Sequence, residues 1–206
     1  MQPTKEGKIS VSVMCSDLMN LERDIKQLER NGVDYLHVDV MDAHFVPNLT
    51  FGVDFIAAMH RVTKLPLDIH LMVEHPLPIM EAMDIRPGDR ISLHVELGEQ
   101  LHELAKAVRA RGAHFGLVVN PSTPVEALTP YLDEIEWVIL MLVQPGFAGA
   151  KLIDGILDKV AAARRFLDEH GHPETEISVD ANAPASCATW APRSSSAGRQ
   201  ASTARE

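Results

Sequence analysis

The chain has 206 residues, 46% of them apolar, and a formal net charge of −10. That length and apolar content fit one α/β domain with a single substantial core, and so acidic a chain lacks the basic footprint that nucleic acid or an anionic membrane surface requires. Its two cysteines, Cys15 and Cys187, make no disulfide framework, and with neither a signal-peptide core nor an apolar run of membrane-spanning length the expected compartment is the cytoplasm.

Short apolar segments alternate with amphipathic ones along the chain. A strand is predicted over 8–14, a helix over 17–31, a strand over 35–40, a helix over 53–62, a strand over 66–73, a short helix over 77–83 and a strand over 90–95. The alternation continues with a helix over 99–111, a strand over 114–119, a helix over 123–132, a strand over 136–142, a helix over 151–170 and a strand over 175–180. Sequential β/α units with near-continuous apolar strands imply a parallel sheet covered by helices. Seven such strands suit a TIM (β/α)8-type barrel whose eighth β/α unit is missing.

Composition changes abruptly after Asp180. Residues 181–206 hold eight Ala and five Ser but no Val, Ile, Leu, Phe or Met, so they cannot supply a buried strand and read as a low-complexity, disordered tail after a barrel domain of residues 1–180. Arg193, Arg199, Arg205 and Glu206 give the tail +2, which leaves −12 on residues 1–180.

The run from His37 to Gly52 carries the chemistry. A strand alternates its faces, so His37, Asp39 and Met41 point together, and Leu67–Val73 repeats the arrangement with Asp68, His70 and Met72. Imidazoles and carboxylates that converge in this way can hold a divalent metal or move protons. Taken alone, His37 with Asp39 also fits a buried hydrogen-bonded pair without metal, and methionines on strands are ordinary core filler. The motif with His70 favours the shared site. Asp68 reads as an orienting partner rather than a ligand, and Asp42 and His44 fit either support of the site or solvent exposure. His60, His75, His94, His102, His114, His170 and His172 show no ligand spacing and read as structural or solvated.

Five segments in order, His37–Gly52, Leu67–Val73, Val119–Pro124, Met141–Gly149 and Ile177–Asp180, resemble the ribulose-phosphate 3-epimerase family over roughly residues 8–180. The resemblance implies a TIM barrel and a divalent metal (Zn, Fe, Mn or Co) on His37, Asp39, His70 and Asp180, with Asp39 and Asp180 doubling as the proton-transferring acids. The residue chemistry agrees, because epimerising a carbon beside a carbonyl removes a proton from one face and returns one to the other. The implied substrate is a sugar phosphate, D-ribulose 5-phosphate interconverting with D-xylulose 5-phosphate, with D-allulose 6-phosphate as the alternative. Ser12 and His70 match substrate contacts, and Met41, Met72 and Met141 match methionines that line the site and exclude water. Gly146, Phe147 and Gly149 match a loop that offers backbone amides to the phosphate, which answers how so acidic a chain binds an anion. A homo-oligomer is expected if the chain folds.

The departures from the family pattern are Val11 for proline, Ala43 for glycine, Ala148 for glycine and Ala150 for glutamine. Ala43 is the most awkward, since at positive φ it costs about 1 kcal/mol relative to glycine. The stretch Asp39-Val-Met-Asp42 lacks the lysine of Asp-x-Lys-x-x-Asp, which argues against the phosphate-binding barrels that decarboxylate nucleotides or condense formaldehyde with pentulose phosphate. After Asp180 the family continues with a Gly-containing turn, a helix and an eighth strand that leads into a phosphate loop. A reading-frame shift accounts for the loss: two nucleotides out of frame, Trp190-Ala191 yields glycine, and Ser194–Ser196 with TCN codons yield an apolar run that Gly-Gly-Thr can follow. The rival reading is a non-catalytic remnant that binds metal and cannot clamp phosphate.

Overall fold

The structure, a computed structural model, describes residues 7–147, 149–180 and 188–190. Strands β1 (Ile9–Ser12), β2 (Tyr35–Met41), β3 (Leu67–Met72), β4 (Arg90–His94), β5 (His114–Val119), β6 (Trp137–Met141) and β7 (Glu176–Asp180) are all parallel and lie side by side in chain order. Between them run α1 (Leu21–Arg30), α2 (Val53–Val62), α3 (Pro76–Ala82), α4 (Leu101–Arg109) and α5 (Leu157–Glu169). This singly wound order is that of a TIM-type sheet curling into a partial barrel.

Strand parity separates two jobs. One parity, including Leu36, Val38, Ile69, Leu71, Ile91, Leu93, Leu117 and Leu140, joins helix residues such as Ile25, Ile56, Met80, Leu104 and Leu167 in one continuous outer core. Each such side chain contributes about 1.5–3 kcal/mol when fully buried. The opposite parity lines the interior and is polar over much of its length, with Ser10, His37, Asp39, Asp68, His70, Arg90, Ser92 and His94 all buried. The outer layer therefore holds the sheet, and the interior is left to chemistry.

Three predicted helices differ from those observed. Asp17 accepts the Met19 N–H and closes a 3₁₀ turn over Leu18–Asn20, so α1 begins at Leu21. The segment predicted over 123–132 is a 3₁₀ helix, Val125–Glu134, because Pro130 inside it removes a donor that an α-helix needs. The helix predicted from 151 begins only at Leu157, after Gly155 at φ 73° interrupts the chain.

After Asp180, where the composition argues against a buried strand, a short strand β8 (Ala188–Trp190) pairs antiparallel with β1, Ile9 opposite Trp190 and Val11 opposite Ala188. An edge strand needs backbone partners rather than an apolar side-chain run, so the composition argument did not exclude it. It does not replace the missing unit: it runs antiparallel, and no ladder among the described residues joins it to β7, so the sheet stays open in the order β7-β6-β5-β4-β3-β2-β1-β8. The remaining tail residues, Cys187 among them, lie outside the described residues. Cys15, in the turn after β1, is disulfide-bonded, where the sequence predicts no such link.

At the N-terminal ends of the strands a cavity of about 660 Å³ is lined by Lys8, Tyr35, Arg90, Trp137 and Glu176 among others. The Arg90 guanidinium lies 4.0 Å from the Trp137 ring centroid and 4.9 Å from that of Tyr35. Trp137 leaves no room at Gly116, where a Cβ would fall 2.3 Å from its ring. Gly116→Ala is accordingly expected to lower stability by about 1–3 kcal/mol in urea unfolding, and unchanged stability would show that the indole moves freely.

Candidate active site

Parallel register stacks the inward side chains into rows at the C-terminal ends of the strands, the end at which barrels of this type carry chemistry. Ser12 pairs with His37, His37 with Asp68, Asp39 with His70, Met41 with Met72, and Met141 with Asp180. These rows bring ligand atoms of His37, Asp39, His70 and Asp180 within 4.8 Å of one another. The four residues that the resemblance selects therefore meet at one point.

Asp39 is the hub. Its Oδ1 lies 3.2 Å from His37 Nε2 and 3.4 Å from His70 Nδ1, its Oδ2 accepts from Ser12 Oγ at 2.7 Å, and its main-chain carbonyl accepts from Thr50 Oγ1 at 2.5 Å. Neither His37 Nε2 nor His70 Nδ1 makes a hydrogen bond of acceptable geometry; both nitrogens face the cluster without being satisfied by it. On its other side the His37 ring meets Asp68, with Nδ1 3.1 Å from Oδ2, an oxygen that also accepts from Ser10 Oγ at 2.8 Å. Asp68 is thus the orienting carboxylate that the sequence anticipates.

Burial alone would push both aspartates up; the His37 imidazolium beside them outweighs it and holds Asp39 and Asp68 below the usual carboxylate range. Burial likewise disfavours charge on His37, yet the flanking Asp39 and Asp68 carboxylates raise it well above an ordinary histidine. At His70 and His94 burial prevails and lowers both, so they are neutral near pH 7.

The loop after β2 closes over this cluster. Asp42 accepts from the main-chain N–H groups of His44, Phe45 and Glu74, each at 2.8 Å, so it organises the loop rather than the reacting centre, and His44 turns back to the Asp42 carbonyl. Met41 and Met72 pack with Val46 under Phe45 and Met14, while Met141 joins Val118, Trp137, Ile139 and Val143 in a separate apolar group. Asn48 Nδ2 donates to the Gly146 carbonyl at 2.6 Å, tying the β2 loop to the loop after β6. There Gly146 and Gly149 both take positive φ, 113° and 76°, and Phe147 is 53% exposed. Ala43 is the sole non-glycine at positive φ among the described residues, at 62°.

His94, which the sequence reading set aside, and Glu96, which it did not single out, enter the site. His94 is fully buried, its Nε2 2.9 Å from His70 Nε2 and its Nδ1 3.3 Å from Glu96 Oε2. The other Glu96 oxygen accepts from Thr123 Oγ1 and from the Asn120 N–H, the latter at 3.4 Å. The available signal was parity, since Ser92 and His94 continue on β4 the inward row of Asp68 and His70.

With this geometry in hand, the sequence model of the ribulose-phosphate 3 epimerase family matches residues 8–189. The chain belongs to that family. It is 39% identical over 173 residues to the ribulose-phosphate 3-epimerase of Bacillus subtilis (strain 168), covering 84% of this chain and 80% of the relative. The enzyme of the same name from Treponema pallidum (strain Nichols) is 39% identical over 172 residues, covering 84% and 78%. The cytoplasmic isoform from Oryza sativa subsp. japonica is 36% identical over 178 residues, covering 84% and 76%. The chain is therefore read as an epimerase, an isomerase of sugar phosphates, and no helix among its described residues is long and apolar enough to cross a membrane.

Two outcomes test this site. Ala43→Gly is expected to raise stability by about 1 kcal/mol in urea unfolding, and no gain would mean that the left-handed turn costs alanine nothing. Burial raises the Glu96 carboxyl, but hydrogen bonds from His94 and Thr123 outweigh it and bring the pKa from 4.5 to about 2. Its stabilisation is thus present above pH 4.5 and is lost as pH falls from there towards 2. Glu96→Gln should flatten the acid side of the stability curve by up to about 1.4 kcal/mol per pH unit, whereas an unaltered slope between those pH values would show the carboxylate unpaired.

Proposed function

We propose that the chain is a metal-dependent 3-epimerase interconverting D-ribulose 5-phosphate and D-xylulose 5-phosphate. The observation that carries this reading is the convergence of His37, Asp39, His70 and Asp180 within 4.8 Å, with two buried imidazole nitrogens, His37 Nε2 and His70 Nδ1, left without hydrogen-bond partners. Such orphaned donor atoms in a mixed nitrogen and oxygen set fit a divalent cation, and Zn, Fe, Mn and Co all accept these ligands. When bound, the cation supplies Lewis-acid stabilisation to substrate oxygens as negative charge develops.

The protein groups do the proton work. Asp39 arrives from β2 and Asp180 from β7, so two carboxylates reach the reacting carbon from different strands, as removal and return of a proton on opposite faces requires. Asp39 Oδ2, turned from the histidines and hydrogen-bonded to Ser12 Oγ, is the oxygen that takes the proton. Met41, Met72 and Met141 wall the site with polarizable apolar surface and exclude water from the intermediate. The amides around Gly146, Phe147 and Gly149, in a loop fixed by Asn48, bind the phosphate dianion without lysine.

A second reading, metal binding without turnover, is favoured by β8, which runs antiparallel to β1 and, among the described residues, is not laddered to β7. Asp180 ends β7, the last parallel strand, which among the described residues is laddered to β6. A coupled assay on the metal-loaded chain separates the two, turnover supporting the first and stoichiometric metal without turnover the second. In an active chain, Asp39→Asn and Asp180→Asn should each lower turnover by at least about 100-fold. With metal content matched, each variant should still exchange the C3 hydrogen of one pentulose epimer, but not the other, with deuterium oxide. Exchange of both epimers by both variants would overturn the assignment of one acid to each face.

A further inference from the structure

Resting on the reading of His70 as a metal ligand, we infer that His94 and Glu96 form a positioning relay that fixes the tautomer of His70 and presents its Nδ1 lone pair to the cation. The ionised carboxylate of Glu96 only accepts hydrogen bonds. Facing it at 3.3 Å, His94 Nδ1 carries the hydrogen. A neutral imidazole has one N–H, so His94 Nε2 is left as an acceptor. Against that acceptor lies His70 Nε2, 2.9 Å away, and two ring nitrogens at that separation share one hydrogen, which must then belong to His70. With its hydrogen on Nε2, His70 keeps a lone pair on Nδ1, the buried atom that has no hydrogen-bond partner and lies 3.4 Å from Asp39 Oδ1. The two ring planes, inclined at 24° with centroids 5.0 Å apart, keep this alignment, and Phe45 closes the far side of His94 at 4.6 Å.

Glu96 is itself held from outside the barrel. Thr123 Oγ1 and the Asn120 N–H donate to one oxygen, and Lys159 of α5 donates to the carbonyls of Asn120 at 2.5 Å, Pro121 at 3.2 Å and Thr123 at 2.5 Å. The Asn120–Thr123 segment thus acts as the brace of the relay, and an outer helix sets the ring that faces the metal. His37 reaches the same end more directly, since Asp68 accepts its Nδ1–H and turns Nε2 towards the cluster. The two histidines are oriented by different devices, one carboxylate in contact and one acting through an intervening imidazole.

The test uses the full chain labelled with ¹⁵N at histidine. Long-range ¹H–¹⁵N spectra of the metal-free protein should report His70 with its hydrogen on Nε2 and His94 with its hydrogen on Nδ1; the opposite pair of tautomers overturns the relay without any variant. Zinc affinity is then measured by chelator competition, with circular dichroism confirming the fold of each variant. His94→Phe and Glu96→Leu should each weaken zinc binding by about 10–100-fold. Glu96→Gln and His94→Gln, whose amide oxygens still accept, should recover much of it. His70→Ala separates the two readings. If it binds zinc as the parent does, the metal assignment itself fails; if it loses zinc while His94→Phe keeps parental affinity, the relay alone is overturned.

Discussion

A carboxylate buried among two imidazoles is the constraint on which the rest of this structure depends. Asp39 is almost wholly removed from water, and an unpaired charge in such a place would be strongly destabilising. Its neighbours meet that demand from three strands: Ser12 from β1, His37 from its own strand and His70 from β3. Each neighbour then needs a partner of its own, which brings in Asp68, Ser10, His94 and Glu96. The polar interior is a consequence of placing one ionised group there and satisfying the groups around it.

Such a network adds little net stability, because desolvation offsets most of the gain from pairing. Stability comes instead from the opposite strand parity, where aliphatic side chains pack between sheet and helices. This separation lets the interior carry features that a core could not tolerate, such as imidazole nitrogens without hydrogen bonds. The loop after β2 shows the same trade locally. Ala43 holds a left-handed conformation, and the hydrogen bonds that Asp42 accepts on either side of the strand end keep the turn in place.

Asp180 sits on β7, the last of the parallel strands. Its carbonyl accepts from the Leu142 N–H at 2.8 Å, and among the described residues β7 is laddered to β6 alone. The other members of the cluster sit on strands paired on both sides. Geometry at His37, Asp39 and His70 is built into the middle of the sheet, and that at Asp180 into its last parallel strand.

Period-two patterning and local turn chemistry determined much of this protein before any fold was known. Helix 53–62 and strand 114–119 match their predicted bounds, because their apolar spacing and flanking residues agree. His37, Asp39, His70 and Asp180 were legible through motif resemblance, and the awkward place of Ala43 through the glycine it replaces. Helix 151–170 was misjudged where Gly155 turned the backbone, and β8 was missed because edge pairing is written in the main chain rather than in side-chain pattern. His94 and Glu96 were passed over because their role depends on meeting His70 and the 120–123 loop across the sheet. The sequence by itself determined the strand parity, the alternating order of strands and helices and the residue types of the site. Only the tertiary structure decided which nitrogen faces which oxygen, since contacts between residues far apart in the chain follow from register and curvature, which no local pattern encodes.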